Sequence, residues 1–250
     1  MHIKPERMTD ERHMLRWVWH EHLARYEFAV HRVRNKVVVD CACGNGIGSR
    51  IFGEAGASKV QAFDISEDAI AVARRENGLP NVHYQVANAL HLPLLDSAAD
   101  IYIAFETIEH LEEDHAFLFE VRRVLKPAGI FICSTPNRTV TNPGKKLADR
   151  PWNRFHVREY SHQEMTELLE TAFGQIQLFG QNPRRDWQVK LMSGLGKILP
   201  LHGAVRINQF LKLPALLSDS LASHAVIKDN GVGIVFEYLV VVCTNPKPRS

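Results

Sequence analysis

Long apolar runs are what this sequence most plainly lacks. No stretch of about 18 consecutive apolar residues occurs, so no ordinary membrane-spanning helix is encoded. The opening residues, MHIKPERMTDER, have no apolar core of the kind a signal peptide needs. Cysteine is scarce: Cys41, Cys43, Cys133 and Cys243 are the only four. They form no disulfide framework, and no second Cys/His pair stands at zinc spacing, so buried, reduced thiols in a cytoplasmic protein are expected. Net charge is nearly absent too. A formal +2 gives no ground for a nucleic-acid partner, so any basic function must be local. Internal repeats and low-complexity tracts are missing, which excludes solenoids and linker-rich architectures.

What is present is a rhythm. Apolar side chains at Met14, Leu15, Val18, Leu23, Tyr26 and Val30 recur mostly at helical spacing across 10–34. Strand-length apolar runs follow at Lys36–Asp40, Lys59–Asp64, Val82–Val86, Ile101–Phe105 and Gly129–Ser134. Between them Ser66–Asn77 reads as a helix with Ser66 as N-cap, and Asp114–Leu125 as a helix ended by Lys126-Pro127. Strand, helix and strand repeated in this way predict a doubly wound, mostly parallel α/β sheet covered on both faces. After Ser134 the rhythm changes. Thr135–Asn153 reads as a long loop, Ser161–Ala172 as a helix opened by a capping box from Ser161 to Glu164, and Gln175–Phe179 and Ile234–Cys243 as two late strands.

The most informative run is Val37–Gly48, VVVDCACGNGIG. A buried strand ends in Asp40, and a turn containing Gly44, Gly46 and Gly48 leads into a helix. Glycines let the backbone approach a ligand closely and adopt conformations that a β-carbon forbids. A dinucleotide loop would place a pyrophosphate on the helix N-terminus. Asp40 would repel that anion, and suits a cationic amino-acid ligand instead. Asp64 ends the next strand, where a carboxylate accepts from ribose hydroxyls or caps the following helix. Asn88 follows the third strand, where an amide reads an adenine edge or closes a turn.

In combination, VVVDCACGNGIG, AFDIS, VANALHLP, FETIEHL and VLKPAGIFICSTPN resemble the class I S-adenosylmethionine-dependent methyltransferases, above all their UbiE/UbiG-like branch. The likeness runs over Asn35–Asn137; looser matches at EHLARYEF and FHVREYS resemble bacterial methyltransferases of glycan and secondary-metabolite biosynthesis. The resemblance implies a Rossmann-like, seven-stranded sheet in a single domain. Residues 1–34 would be an N-terminal helical segment, 35–180 the cofactor-binding core, 184–228 a helical insertion and 234–243 the last strand. It implies S-adenosyl-L-methionine as cofactor, leaving as S-adenosyl-L-homocysteine. Asp40, Ala42, Gly44 and Gly46 would hold its methionine portion, Asp64 its ribose and Asn88 its adenine, with Ile65, Ala89 and Phe105 completing the set. Two positions depart from the family pattern. Ala42 stands where many members have the loop's first glycine, and Asn88 replaces the usual Asp.

Phe105–His110 follows the fourth strand, at the edge where ligands of open α/β sheets sit. If 106–110 form a helical turn, Glu106, Glu109 and His110 lie on one side, and His156 joins them from FHVREYS. A hydroxyl acceptor must lose its proton as the new bond forms, and His110 first and His156 second are the candidate bases. Glu106 and Glu109 would shape the acceptor pocket. The expected acceptor is an oxygen of a sugar, glycan intermediate or small metabolite. Three alternatives stand: a quinone-precursor O-methyltransferase, a metal-dependent RNA 2′-O-methyltransferase in which these four side chains hold the ion, and a catalytically idle cofactor-binding subunit. Because E-x-x-E-H-L runs occur in this branch without metal, no metal ion is expected. No nucleic-acid partner is expected either, since no basic stripe interleaved with aromatics is visible. The chain is expected to act as a monomer or homodimer.

The segment 184–228 carries Arg184, Arg185, Lys190, Lys197, Arg206, Lys212 and Lys228 against only Asp186 and Asp219, a formal +5. Its leucines, Trp187 and Phe210 suit a lid over the acceptor, or a basic amphipathic surface in peripheral contact with an anionic membrane. The lid is the expected role. Replacing the segment by a Gly-Ser turn should leave calorimetric affinity for S-adenosylhomocysteine near normal and abolish methyl transfer. Neither form should cosediment with anionic liposomes.

Overall fold

The computed structural model describes residues 16–185, 226–228 and 234–248. The elements are α1 (Arg16–Val30), β1 (Val37–Cys41), α2 (Ile47–Glu54), β2 (Lys59–Asp64), α3 (Glu67–Glu76), β3 (Val82–Val86), β4 (Ala99–Phe105), α4 (Asp114–Val124), β5 (Leu125–Pro136), α5 (Arg138–Thr141), α6 (His162–Glu170), β6 (Phe173–Arg185), β7 (Ile227–Lys228) and β8 (Ile234–Pro246). A single 3₁₀ turn, Ile108–His110, follows β4.

Alternation along the strands sorts the core into two layers, because successive side chains point to opposite faces. Val38, Ile101, Ile103 and Ile132 face one side and meet Tyr26, Ala29, Phe52, Ile70 and Ala73 from α1, α2 and α3. Val39, Tyr102, Ala104, Phe131 and Cys133 face the other side, against Phe117, Leu118 and Val121 of α4 and Met165, Leu168 and Leu169 of α6. All four cysteines are buried and free. The helix ends follow the signals in the sequence. Ser66 Oγ accepts from Ala69 N at 3.2 Å to start α3, and Ser161 and Glu164 form both halves of the capping box of α6.

The sheet runs β3-β2-β1-β4-β5-β8-β6-β7. β1 pairs in parallel with β2 on one side and β4 on the other. The chain therefore winds one way from β1 and the other way from β4. At such a switch point the connections diverge and leave a crevice beyond the carboxyl ends of β1 and β4.

The seven expected strands are all present, and the late ones are longer than expected. β6 and β8 pair antiparallel from Phe173↔Pro246 to Arg185↔Ile234. Arg184 and Arg185 thus belong to the sheet and not to the insertion. At its other end, Ile227 and Lys228 form an eighth strand against Gly180 and Phe179. The run after Phe179 is polar and contains Pro183, so period-2 alternation was no guide to its length; the ladder to β8 extends it instead. The helical reading of the remaining insertion, 186–225, lies outside the described residues, as do residues 1–15 of the N-terminal segment. The expected loop 135–153 begins as strand and includes the short helix α5.

The turn after β1 has a strained position. Ala42 has φ +60° and is exposed. A β-carbon in the left-handed region costs about 1–2 kcal/mol, and Ala42 has no buried contact to offset it. Ala42→Gly should therefore raise the thermal midpoint by a few degrees, about 2–4 °C per kcal/mol for a chain of this size, as read by scanning calorimetry.

Candidate active site

Asp64, at the end of β2, clamps the glycine turn. Its Oδ2 accepts from Gly44 N at 3.0 Å and its Oδ1 from Ser66 N at 2.8 Å. The sequence left ribose recognition and helix support as alternatives for this residue. The structure shows the supporting bonds, and a carboxylate with about four lone-pair sites can accept hydroxyls as well. Gly44 has φ +55° and Gly46 φ +85°. At Gly46 a β-carbon would also lie 2.7 Å from the Tyr84 ring, whose hydroxyl donates to the Gly46 carbonyl at 3.0 Å. On the other side Tyr26 lies so close to Gly48 that a β-carbon there would come within 2.0 Å of its ring. Helix α1 is thereby seated on the turn.

Asp40 is 2 % exposed and accepts from Ser49 Oγ at 2.5 Å. Burial pushes its carboxyl up to about 7, the Ser49 bond opposes that rise, and the nearby Asp64 adds to it. Arg25 of α1 is 1 % exposed. Its Nη1 donates to Gln181 Oε1 at 2.6 Å, Nη2 lies 3.1 Å from His22 Nδ1, and the guanidinium sits 4.8 Å from the Tyr238 ring centroid. Burial and the Arg25 charge hold His22 well below the ordinary imidazole range, so the neutral ring accepts from the arginine. Among the described residues no carboxylate is in ion-pair range of Arg25, and its Nε has no partner.

The remaining cofactor candidates line the same edge. Ile65 is 69 % exposed beside Asp64, an apolar surface suited to a planar ring. Asn88 is exposed and its Oδ1 accepts from Leu90 N at 2.9 Å, so it closes a turn while keeping a second lone pair and its NH₂. Ala89 beside it is half-buried, and Phe105 at the end of β4 meets Tyr26 edge-on with centroids 5.4 Å apart. The donor set tests well against a sulfonium nucleoside. Two buried acids suit an ammonium group and ribose hydroxyls. The unpaired guanidinium suits a carboxylate, and no pyrophosphate cradle is present between Asp40 and Asp64.

At the end of β4 the expected single helical turn is broken. Glu106 takes φ +49°, and only Ile108–His110 form the 3₁₀ turn. Ser134 of β5 pins Glu106, accepting from its N–H at 3.2 Å and donating to its Oε1 at 2.7 Å. Strain of this kind at a strand's carboxyl end is a mark of functional sites. Glu109 is fully buried. Its Oε2 accepts from Thr135 Oγ1 at 3.1 Å, its Oε1 has no partner, and burial together with Glu106 holds its carboxyl well above the usual range.

His110 and His156 come together edge-to-face, with ring centroids 4.9 Å apart. His110 Nδ1 lies 3.0 Å from the Phe155 carbonyl, which can only accept, so Nδ1 is the donor in that bond. His156 Nδ1 lies 2.6 Å from Glu159 Oε1, and the second oxygen of Glu159 accepts from Asn142 Nδ2 at 2.6 Å and from Thr141 Oγ1. The segment is tied down by Val157 N, which donates to the Glu109 carbonyl at 2.8 Å. Glu109, His110 and His156 offer ligand atoms that all lie within 4.8 Å of one another; Glu106, expected beside them, is not part of that group. Sequence reasoning missed Arg25, Ser134 and Glu159. Arg25 stood in the EHLARYEF run and Glu159 three residues after His156, but nothing in spacing alone says that either side chain points inward.

A doubly wound sheet of this order, with an acidic glycine turn at its switch point, is the fold of the class I S-adenosylmethionine-dependent methyltransferases. Comparison with known proteins agrees. Residues 39–133 match the family model described as "Methyltransferase domain". A Mycolicibacterium smegmatis protein named as an S-adenosylmethionine-dependent methyltransferase is 38% identical over 151 residues, 60% of this chain and 56% of that protein. The ubiquinone/menaquinone C-methyltransferase UbiE of Caulobacter vibrioides is 32% identical over 124 residues, 46% of this chain and 49% of the relative. The chain spans about half the length of the curated relatives it matches. Among solved structures, an S-adenosylmethionine-dependent methyltransferase of Thermotoga maritima superposes with a TM-score of 0.61 at 18% identity, covering 92% of this chain and 93% of the other. The [4+2]-cyclase SpnF shares the fold at a TM-score of 0.57 and 17% identity, covering 98% of this chain and 88% of its own. No helix among the described residues is long and apolar enough to cross a membrane.

The raised Asp40 carboxyl generates a pH dependence. In the ligand-free fold the group favours its protonated form, so its contribution to stability is full at acid pH and is lost as pH rises through about 7. A cationic ligand favours the ionised form. S-adenosylhomocysteine affinity should therefore fall by up to about tenfold per pH unit below that value, with proton release on binding. Titration calorimetry in buffers of differing ionisation enthalpy measures both effects, and Asp40→Asn should abolish the proton release.

Proposed function

We propose that this chain transfers a methyl group from S-adenosylmethionine to a hydroxyl oxygen of a sugar, glycan intermediate or small metabolite. The observation that carries the reading is the pairing of His110 and His156 at the end of β4, one strand over from the Asp40 turn. The sulfonium supplies an activated methyl group, so the protein's work is mainly alignment and removal of the acceptor's proton. His110 is the base that takes that proton, a role supported by its Nδ1 bond to the Phe155 carbonyl, which fixes the ring from behind. Glu106, held by Ser134, forms the polar wall of the pocket. The acceptor is a small molecule, the partners do not include nucleic acid, and the unit is a monomer or homodimer.

A quinone-precursor acceptor is the second reading. It is supported by the 33% identity over 113 residues to the ubiquinone O-methyltransferase of Haemophilus ducreyi, which covers 42% of this chain. Because a fold can host other chemistry, the test must measure transfer itself. Purified protein is supplied with isotopically labelled cofactor and two acceptor sets, nucleotide-linked sugars and catechol-type quinone precursors, with products read by mass spectrometry. Labelled O-methyl sugar is expected. His110→Ala should lower kcat by about 10²–10⁴ with S-adenosylhomocysteine affinity unchanged. Transfer to carbon or nitrogen, or full turnover by the variant, would overturn the hydroxyl reading.

A further inference from the structure

We propose that Glu109, His110 and His156 form a binding site for one divalent metal ion of borderline softness, such as Mn²⁺ or Co²⁺. The expectation of a metal-free pocket was drawn from the motif alone; the geometry points the other way. Each of the three side chains has one donor atom fixed from behind. Thr135 holds Glu109 Oε2, the Phe155 carbonyl holds His110 Nδ1, and Glu159 holds His156 Nδ1. A carboxylate or carbonyl behind a ligating imidazole sets its tautomer and raises its basicity, which is how metal-binding histidines are normally supported. One ligand atom from each of Glu109, His110 and His156 lies within 4.8 Å of those of the other two, close enough for a single ion to reach all three.

Glu109 supplies the independent observation. It is 0 % exposed and its Oε1 has no hydrogen-bond partner, so a buried oxygen is left without the bond or charge that its desolvation requires. A cation at that oxygen provides it. His156 Nε2 lies 3.0 Å from Asn153 Nδ2, and this is the contact an entering ion displaces. Two imidazole nitrogens and one carboxylate oxygen suit first-row divalent ions better than Mg²⁺, which prefers all-oxygen surroundings. Three protein ligands also leave coordination positions open. Glu159 is then a positioning residue, acting on the ion through His156.

The inference that the open positions receive the acceptor rests on the functional reading above; the ion site itself does not. In the ion-bound enzyme the metal takes over the role given above to the histidine base: the acceptor hydroxyl coordinates the ion, which lowers its pKa, and the proton leaves to solvent water. An acceptor with two adjacent oxygens would fill two positions, which points to vicinal diols and catechol-like groups.

The test uses the full chain, stripped by dialysis against chelator and titrated with MnCl₂ and CoCl₂ alone, by calorimetry and by the Co²⁺ visible spectrum. One saturable ion per chain is expected, with affinity at least about tenfold weaker in Glu109→Gln and in His110→Gln, and about tenfold weaker in Glu159→Gln. His110 is exposed, so its variant does not depend on repacking the core. S-adenosylhomocysteine binding is measured in every sample. No saturable ion in a wild-type protein that binds S-adenosylhomocysteine overturns the metal site and leaves the methyltransferase reading and its histidine base standing. Ion binding that is unchanged in both ligand variants overturns it as well. Metal binding without S-adenosylhomocysteine binding would sink the methyltransferase reading and spare the site.

Discussion

A carboxylate buried at the carboxyl end of β1 is the constraint on which much of this molecule turns. Asp40 sits in the central layer of a parallel sheet, where burying an anion is costly unless it is bonded and answered by a positive charge. Ser49, in the first turn of α2, supplies the bond, and reaches it only because the glycine turn reverses the chain tightly enough. The left-handed positions at Ala42, Gly44 and Gly46 follow from that requirement. So does the second acid, Asp64, whose two oxygens hold the turn against the start of α3. Arg25, a buried cation, shares α1 with the Tyr26 ring that covers Gly48. The acids, the turn and the buried arginine carry the charges that the proposed zwitterionic ligand would need.

The second half of the site obeys the same logic with different parts. Glu106 and Glu109 are two carboxylates at the end of one strand, close enough that the Glu106 charge adds to the cost of ionising the buried Glu109. Ser134 and Thr135 on β5 meet one carboxylate each, because neighbouring residues of a strand point to opposite faces. That division leaves Glu106 against Ser134 and Glu109 against Thr135 and the segment bearing His156. A loop that looked irregular in sequence, between α5 and α6, is held by Glu159, Thr141 and Asn142, and it delivers one imidazole against the other. The end of β4 is therefore as tightly specified by hydrogen bonds as the glycine turn after β1.

Much of this was written in local pattern. Strand-length apolar runs, the Ser66 cap, the Ser161–Glu164 capping box and the acidic glycine turn are short-range features, and each appears where its residues predict it. Local rules have force here because a central parallel strand is apolar on both faces and a cap is a contact three residues long. They fail at β6, where polar residues and Pro183 hide a strand that exists by pairing with β8. They fail also at Glu106, where an intended helical turn gives way to a left-handed residue bonded to β5.

The sequence by itself determined the class of fold, the cofactor it accommodates and the identity of the acids and histidines at the sheet edge. Those depend on residue type and on contacts within a few positions of chain. Only the tertiary structure decided that His110 and His156 meet, that Glu159 stands behind one of them, that Glu109 is sealed with an unanswered oxygen, and that Arg25 is buried without a carboxylate. Each of these is a relation between segments separated by many residues. Periodicity and spacing cannot express it, because the direction of a side chain across a crevice is set by how the layers pack, not by its neighbours in sequence.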